Sequence, residues 1–276
     1  MKNIGIFYHP LNEATQAKAK QLQDLLVSHG IAVWLCSSWE GETARTQLDN
    51  TDLVLSVGGD GTILRSAQAV VPRMIPIIGI NLGKLGFMTE LSANEAIDRL
   101  PALLSGEGWT DERAMLQAEL TVDGEKADTY HALNDVVVAR GAIARLVRVS
   151  ASIDGKHLTD YKADGVIAAT ATGSTGYSLA AGGPILHPKS KDFLLVPITP
   201  HLSPAHALVL PAETSVQLTV TTPYQATLSI DGHINMPLAD GASITVKQSP
   251  HRTRFLRIHP EDAFYRSLEQ KLKGKR

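Results

Sequence analysis

Leu53-Val54-Leu55-Ser56-Val57-Gly58-Gly59-Asp60-Gly61-Thr62 is the stretch that decides the fold. An apolar run enters a glycine-rich turn, and Thr62 to Val71 then reads as a helix. A short apolar run bounded by turn residues is the pattern of a strand buried on both faces. The same order recurs on either side of this stretch. Ile4 to Tyr8 reads as a buried strand, and Glu13 to Ser28 as a helix with Ala17, Leu22, Leu25 and Leu26 at helical spacing and Gly30 as its stop. Ile31 to Leu35 and Pro76 to Ile80 read as two more strands. Strands alternating with helices imply a parallel sheet with helices on its faces. In such sheets ligands bind beyond the carboxyl ends of the strands. Both glycine-rich pieces, residues 58–61 and Asn81-Leu82-Gly83, fall at such ends.

The pattern changes near residue 113. Leu120-Thr121-Val122 is followed by Asp123-Gly124, and Val147 to Ile153 by Asp154-Gly155, a strong hairpin signal. Ser215 to Val220, Ala226 to Ile230, Ser243 to Lys247 and Phe255 to Ile258 continue as short strands. The expected fold is therefore α/β + β: a Rossmann-like parallel domain over residues 1–113, then a β-sandwich over 114–258. A C-terminal helix from Glu261 to Lys273 is expected to pack back on the first domain.

With 276 residues, 43% of them hydrophobic, the chain can build a substantial core. Lys plus Arg is 26 and Asp plus Glu 28, and the net charge of −2 lacks the basic excess of a nucleic-acid binder. The single Cys36 cannot form an internal disulfide. The run Ile4 to Tyr8 before His9-Pro10 is too short for a signal-peptide core, and no stretch reaches the ~18 apolar residues of a spanning helix. A soluble cytoplasmic protein without membrane or nucleic-acid partners is expected.

Four segments carry candidate chemistry. In Gly58-Gly59-Asp60-Gly61-Thr62, consecutive glycines allow close backbone approach to a ligand, and a helix starting at Thr62 would aim free N–H groups at an anion. Asp60 sets one carboxylate beside that point; a plain strand-to-helix turn is the competing reading. Neither G-x-x-x-x-G-K-[ST] nor G-x-G-x-x-G after the first strand is present. Asn81-Leu82-Gly83-Lys84-Leu85-Gly86-Phe87 also follows a strand, and alone reads as a turn. Asn134-Asp135 could grip a ribose diol or an adenine edge, since together they supply acceptors and an amide donor pair. Alone, that pair also reads as a turn. Asp164 to Pro184 is the longest segment. Its strand enters Thr170-Ala171-Thr172-Gly173-Ser174-Thr175-Gly176-Tyr177, where hydroxyls and glycine amides suit phosphate and Tyr177 offers a stacking ring. So many glycines and hydroxyls are a poor way to build a core.

Taken together, these segments resemble the NAD kinase family, ATP- or polyphosphate-dependent, along essentially the whole chain and in order. The family's G-G-D-G-T is Gly58 to Thr62, extended by Leu64 and Arg65, and its N-[IL]-G-x-L-G-F is Asn81 to Phe87. Its N-E or N-D pair is Asn134-Asp135, its D-G-x-x-x-x-T-P-T-G-S-T-A-Y is Asp164 to Tyr177, and Ser229 to Gly232 matches a late S-x-D-G. Ala171 stands where the family usually has proline, Gly176 where it has alanine, and Ala180 where serine is common. Pro200 to Ala207 departs most, because relatives often carry an Arg-Pro pair near His206-Ala207.

The resemblance implies transfer of a phosphoryl group to the 2′-hydroxyl of the adenosine ribose of NAD. It implies Asp60 as the group that takes or directs the hydroxyl proton. Gly58, Gly59, Gly61, Thr62 and Arg65 would form the phosphate-donor loop. NAD contacts would come from Gly61, Phe87, Asn134, Asp135, Lys162, Asp164, Thr172, Thr175, Gly176 and Tyr177. Mg²⁺ or another divalent cation would be held through the donor phosphates rather than by a protein cage. NAD and ATP or polyphosphate are the implied partners, with a homo-oligomer, tetramer or dimer, in which Asp164 could act from a neighbouring subunit. A lipid or sugar kinase sharing only G-G-D-G, and a non-catalytic dinucleotide sensor, are the alternatives.

Overall fold

The computed structural model describes residues 1–276 apart from 84–85, 142–144, 203–204, 262–263, 266–267, 269–271 and 273–276. Most of the expected C-terminal helix lies outside the described residues. The chain divides into two compact units: residues 1–112 with 253–276, and residues 113–252.

The first unit is wound as β1 (Asn3–Tyr8), α1 (Glu13–Ser28), β2 (Ala32–Ser37), α2 (Gly41–Leu48), β3 (Leu53–Val57), α3 (Asp60–Val70), β4 (Ile77–Asn81), β5 (Leu91–Ser92) and α4 (Ala93–Leu104). Its strands pair in parallel in the order β2-β1-β3-β4-β5. β3 and β4 are buried at every position, as strands covered on both faces must be. Ile4, Ile6, Leu55 and Ile78 pack with Leu22 and Leu26 of α1 and Leu100 of α4. α4 begins in a capping box, with Ser92 and Glu95 satisfying each other's backbone N–H groups.

The remaining elements are β6 (Trp109–Val122), β7 (Glu125–Ala132), β8 (Asp135–Arg140), β9 (Val147–Ile153), β10 (Lys156–Ala163), β11 (Gly165–Ala169), a 3₁₀ turn (Gly173–Thr175), α5 (Tyr177–Ala180), β12 (Phe193–Ile198), β13 (Leu208–Leu210), β14 (Val216–Thr221), β15 (Ala226–Ile230), β16 (Ile234–Leu238) and β17 (Ser243–Arg257). In the second unit, β13-β12-β11-β8-β15-β16 form one antiparallel sheet, and β10-β9-β14-β17 a second antiparallel array. Val136, Val138, Val166 and Leu228 of the first face Val149, Leu218 and Ile244 of the other, which makes the sandwich core. Val137, Ile167 and Val196 point the opposite way and are covered by Ala181, Leu186 and Ala207. The run Val136-Val137-Val138 is thus apolar at each position because both faces of its strand are covered.

The sequence reading of an α/β domain followed by a β-sandwich is the architecture found. Both predicted hairpins turn through left-handed residues, Asp123-Gly124 at φ 52° and 81° and Asp154-Gly155 at 49° and 76°. Two boundaries differ. α3 starts at Asp60, not Thr62, so the aspartate and Gly61 belong to the first helical turn. The strands expected separately at 243–247 and 255–258 are parts of one 15-residue strand, β17, which carries Pro250 at an exposed position.

Candidate active site

In the first unit, the carboxyl ends of the parallel strands deliver the candidate chemistry to one rim. Gly58 leaves β3 with its N–H donating to the Ile80 carbonyl at 2.8 Å, and the chain turns straight into α3. Asp60, half-buried in the first turn, faces the second glycine-rich piece. Its Oδ2 accepts from the Phe87 N–H at 2.8 Å and its Oδ1 from the Met88 N–H at 3.1 Å. A Cβ on Gly86 would collide with that carboxylate, so glycine is required there for the approach. The two glycine-rich pieces are therefore one device, in which backbone amides aim the Asp60 carboxylate.

The Met88 end of this loop is held in turn. Arg257, almost fully buried, donates to the Met88 carbonyl at 2.8 Å and pairs with Glu90 at 3.1 Å and Asp111 at 3.2 Å. Glu90 also accepts the N–H groups of Ile258 and His259, each at 2.8 Å. A buried arginine with two carboxylates and satisfied neighbours costs far less than an unpaired one, and here it makes the loop rigid. Lys84 and Leu85, within the predicted motif, lie outside the described residues. The Thr62 hydroxyl is buried with no hydrogen-bond partner among the described residues. Beside this rim lies a cavity of about 330 Å³ lined by His9, Asn12, Thr15, Gly58, Gly59 and Asn81, among others.

In the second unit, Asn134 precedes β8 and Asp135 opens it, and both are built on Asp231, to which the sequence assigns no role. Asp231 sits in the turn between β15 and β16 at φ 49°. Its carboxylate accepts three backbone N–H groups: Leu133 at 2.9 Å, Asn134 at 2.7 Å and Asp135 at 3.1 Å. Asp135, itself 6% exposed, has its pKa pushed up to about 7, first by burial and then by the Asp231 charge. The Asn134 Oδ1 is buried without a hydrogen-bond partner among the described residues, a site where a bound donor would relieve roughly 1–3 kcal/mol.

The segment after β11 closes over the same turn. The Thr170 N–H donates to the Asn134 carbonyl at 2.9 Å, and its hydroxyl to the Leu133 carbonyl at 2.6 Å. Gly173 passes so close that any Cβ would strike the Asn134 carbonyl. Thr172 is buried and accepts from Arg113 at 3.3 Å, Thr175 and Gly176 are half-buried, and the Tyr177 ring is exposed. Asn134, Asp135, Thr172, Thr175, Gly176 and Tyr177 thus share one place. Lys162 and Asp164 do not. They precede β11, whose five residues put roughly 17 Å between them and Thr170. There the Asp164 carboxylate accepts from Arg140 Nε at 2.7 Å, and the exposed Lys162 gives its carbonyl to the His201 N–H at 2.8 Å. Ser203 and Pro204 of the divergent Pro200–Ala207 stretch lie outside the described residues.

A strand-turn-helix anion loop carrying one aimed carboxylate, joined in the chain to a β-sandwich presenting a polar turn, defines a phosphate-handling two-domain protein. Residues 4–108 match the model of the ATP-NAD kinase N-terminal domain, and residues 133–258 that of the C-terminal domain. The chain is 50% identical to the NAD kinase of Dehalococcoides mccartyi over 274 residues, 99% of this chain and 96% of that one. It is 38% identical to the NAD kinase of Chloroflexus aggregans over 273 residues, 99% of each. Among solved structures it is similar to yeast NADH kinase complexed with NADH, with a TM-score of 0.89 and 25% identity, covering 100% of this chain and 89% of that one. It is also similar to an NAD kinase from Archaeoglobus fulgidus in complex with ATP, with a TM-score of 0.78 and 27% identity over 99% of each chain. The chain belongs to the NAD kinase family. Matches over both domains remove the lipid- or sugar-kinase alternative, which rested on Gly58–Gly61 alone.

Proposed function

We propose that this chain transfers the terminal phosphoryl group of ATP to the 2′-hydroxyl of the adenosine ribose of NAD, giving NADP and ADP. The observation that carries the reading is the Asp60 carboxylate, held by the amides of Phe87 and Met88 at the mouth of an anion-binding loop. The ribose oxygen forms a bond to the γ-phosphorus while the bond from that phosphorus to the bridging oxygen of ADP breaks. The hydroxyl proton passes to Asp60. Gly59 and Gly61 offer backbone N–H groups and Thr62 its hydroxyl to the donor phosphates, Gly58 makes the turn that presents them with its own N–H on the Ile80 carbonyl, and Arg65 adds a positive charge. Asn134 and Asp135, with Thr172, Thr175, Gly176 and Tyr177, bind the dinucleotide, and Phe87 supplies an apolar contact.

A divalent cation, Mg²⁺ in the simplest case, would fit this donor set as a metal held through the donor phosphates and not by protein side chains. When bound it neutralises charge on the transferring group. Among the described residues no three His, Cys, Asp or Glu side chains are grouped to cage a metal. Polyphosphate is a second donor class to be tried. Lys162 and Asp164, a strand's length from the Asn134 turn, are read as contacts to the dinucleotide of a neighbouring subunit in a homotetramer or dimer. Lys162 stands two residues before Asp164, where the resemblance implies that a large basic residue marks NAD-selective members, and it is read as favouring NAD over NADH. Among the described residues, no helix is long and apolar enough to cross a membrane, and a cytoplasmic setting is part of the proposal. The test is ³¹P NMR of the product formed from NAD, ATP and Mg²⁺. A 2′-phosphomonoester supports the reading, whereas a 3′-ester or unchanged NAD overturns it.

A further inference from the structure

We infer that the Trp39 ring is the base platform of the phosphoryl-donor site, so that the base of the ATP donor is recognised by stacking on it. The inference rests on the reading of Gly58–Gly61 as the donor loop and adds to it where the rest of the donor lies. In the sheet order β2-β1-β3-β4, the carboxyl ends present in turn Trp39 after β2, His9 after β1, Gly58-Gly59 after β3 and Asn81 at the end of β4. His9, Gly58, Gly59 and Asn81 line the cavity of about 330 Å³. Trp39 adjoins it through His9, whose ring meets the indole edge-on with centroids 6.0 Å apart.

Half of the Trp39 surface is exposed, unlike buried Trp34, whose indole N–H is tied to the Thr51 hydroxyl at 2.9 Å. The Arg65 guanidinium lies 5.5 Å from the Trp39 ring centre, and Arg65 makes no ion pair among the described residues. A ring with one arginine against it and half its surface open is prepared for a second flat partner. Every base has such a face, and stacking on an aromatic side chain reads ring area, not hydrogen-bonding edges. Two strand spacings, roughly 10 Å, separate the ends of β2 and β3. An extended triphosphate and ribose span that distance from the glycine loop to the indole, with His9 and Arg65 beside the path. An inorganic polyphosphate would leave the ring unused.

The test compares wild type, Trp39→Ala and Trp39→Phe, first by titrating a non-hydrolysable ATP analogue with Mg²⁺ and no NAD, then by kinetics with ATP and with tripolyphosphate. The expected result is quenching of tryptophan emission in wild type, lost in Trp39→Phe although Trp34 and Trp109 remain. In Trp39→Ala the KM for ATP should rise about 5- to 100-fold. The KM for NAD and any rate with tripolyphosphate should be unchanged, and Trp39→Phe should keep most ATP affinity. Purine triphosphates should bind alike and better than pyrimidine ones. Quenching by the analogue in a protein that forms no NADP would keep this inference and sink the kinase reading. Normal NADP formation with a wild-type ATP KM in Trp39→Ala would sink this inference alone, as would a preference for tripolyphosphate over ATP.

Discussion

Replacing Asp60 by Asn separates two jobs of one carboxylate. As an acceptor it holds two backbone N–H groups, of Phe87 at 2.8 Å and Met88 at 3.1 Å. Asn keeps one acceptor oxygen and turns an NH₂ toward the other amide. One hydrogen bond is lost in a half-exposed place, about 1 kcal/mol, or about fivefold in any binding step that uses this loop. As the proton acceptor, the carboxylate should contribute about 10² to 10⁴ in rate. Asp60→Asn should therefore lower kcat by at least a hundredfold while the Kd for NAD changes by no more than about fivefold. NADP formation is followed with an NADP-specific dehydrogenase, and NAD binding by calorimetry. Gly86→Ala is the companion variant. Its Cβ displaces the carboxylate without changing its chemistry, and it should lower kcat far more than it weakens NAD binding. Wild-type kcat in both variants would refute the aimed-carboxylate reasoning. An equal loss in kcat and affinity would return Asp60 to a role in holding the loop.

Asn134→Ala should weaken NAD binding about 10- to 100-fold, because a ligand donor loses its buried acceptor; calorimetry with an unchanged melting temperature checks it. Asp135, whose pKa is raised to about 7 in the folded protein, carries its proton in the native state where the unfolded chain has already lost it. Stability therefore falls as pH rises from about 4 to about 7, and the full penalty, on the order of a few kcal/mol, stands above that window. Asp135→Asn should raise the melting temperature at pH 8 and lose that advantage toward pH 4, while an offset independent of pH would contradict the shift. Lys162→Gly should move the ratio of kcat/KM for NAD over NADH toward NADH, and a ratio equal to wild type would remove Lys162 from substrate choice.

The parallel sheet was legible because β3 and β4 are buried at every position, which leaves short, mostly apolar runs, each followed by a glycine-bearing turn. The sandwich was legible through Asp-Gly turns, where left-handed backbone limits the residue choice to a few. What was not legible depended on distant residues. The start of α3 moved to Asp60, whose side chain bonds to amides 27 and 28 residues away. Asp231 lay inside a quoted motif, yet its grip on residues 133–135 crosses about a hundred positions. Thr172, Tyr177 and Asn134 were readable as one group only through the family pattern, and the distance of Lys162 and Asp164 from them followed from the direction of β11. Trp39 gave no signal in the sequence: a lone tryptophan after a strand has the look of core, and only its exposure beside His9 and Arg65 distinguishes it.

The most direct measurement of the central claim is NADP formation by the purified protein supplied with NAD, ATP and Mg²⁺, run beside the same mixture lacking ATP. The account predicts NADP and ADP in equal amounts, formed only in the complete mixture. ATP consumed without NADP, or NAD bound with no product from any phosphoryl donor, would contradict it.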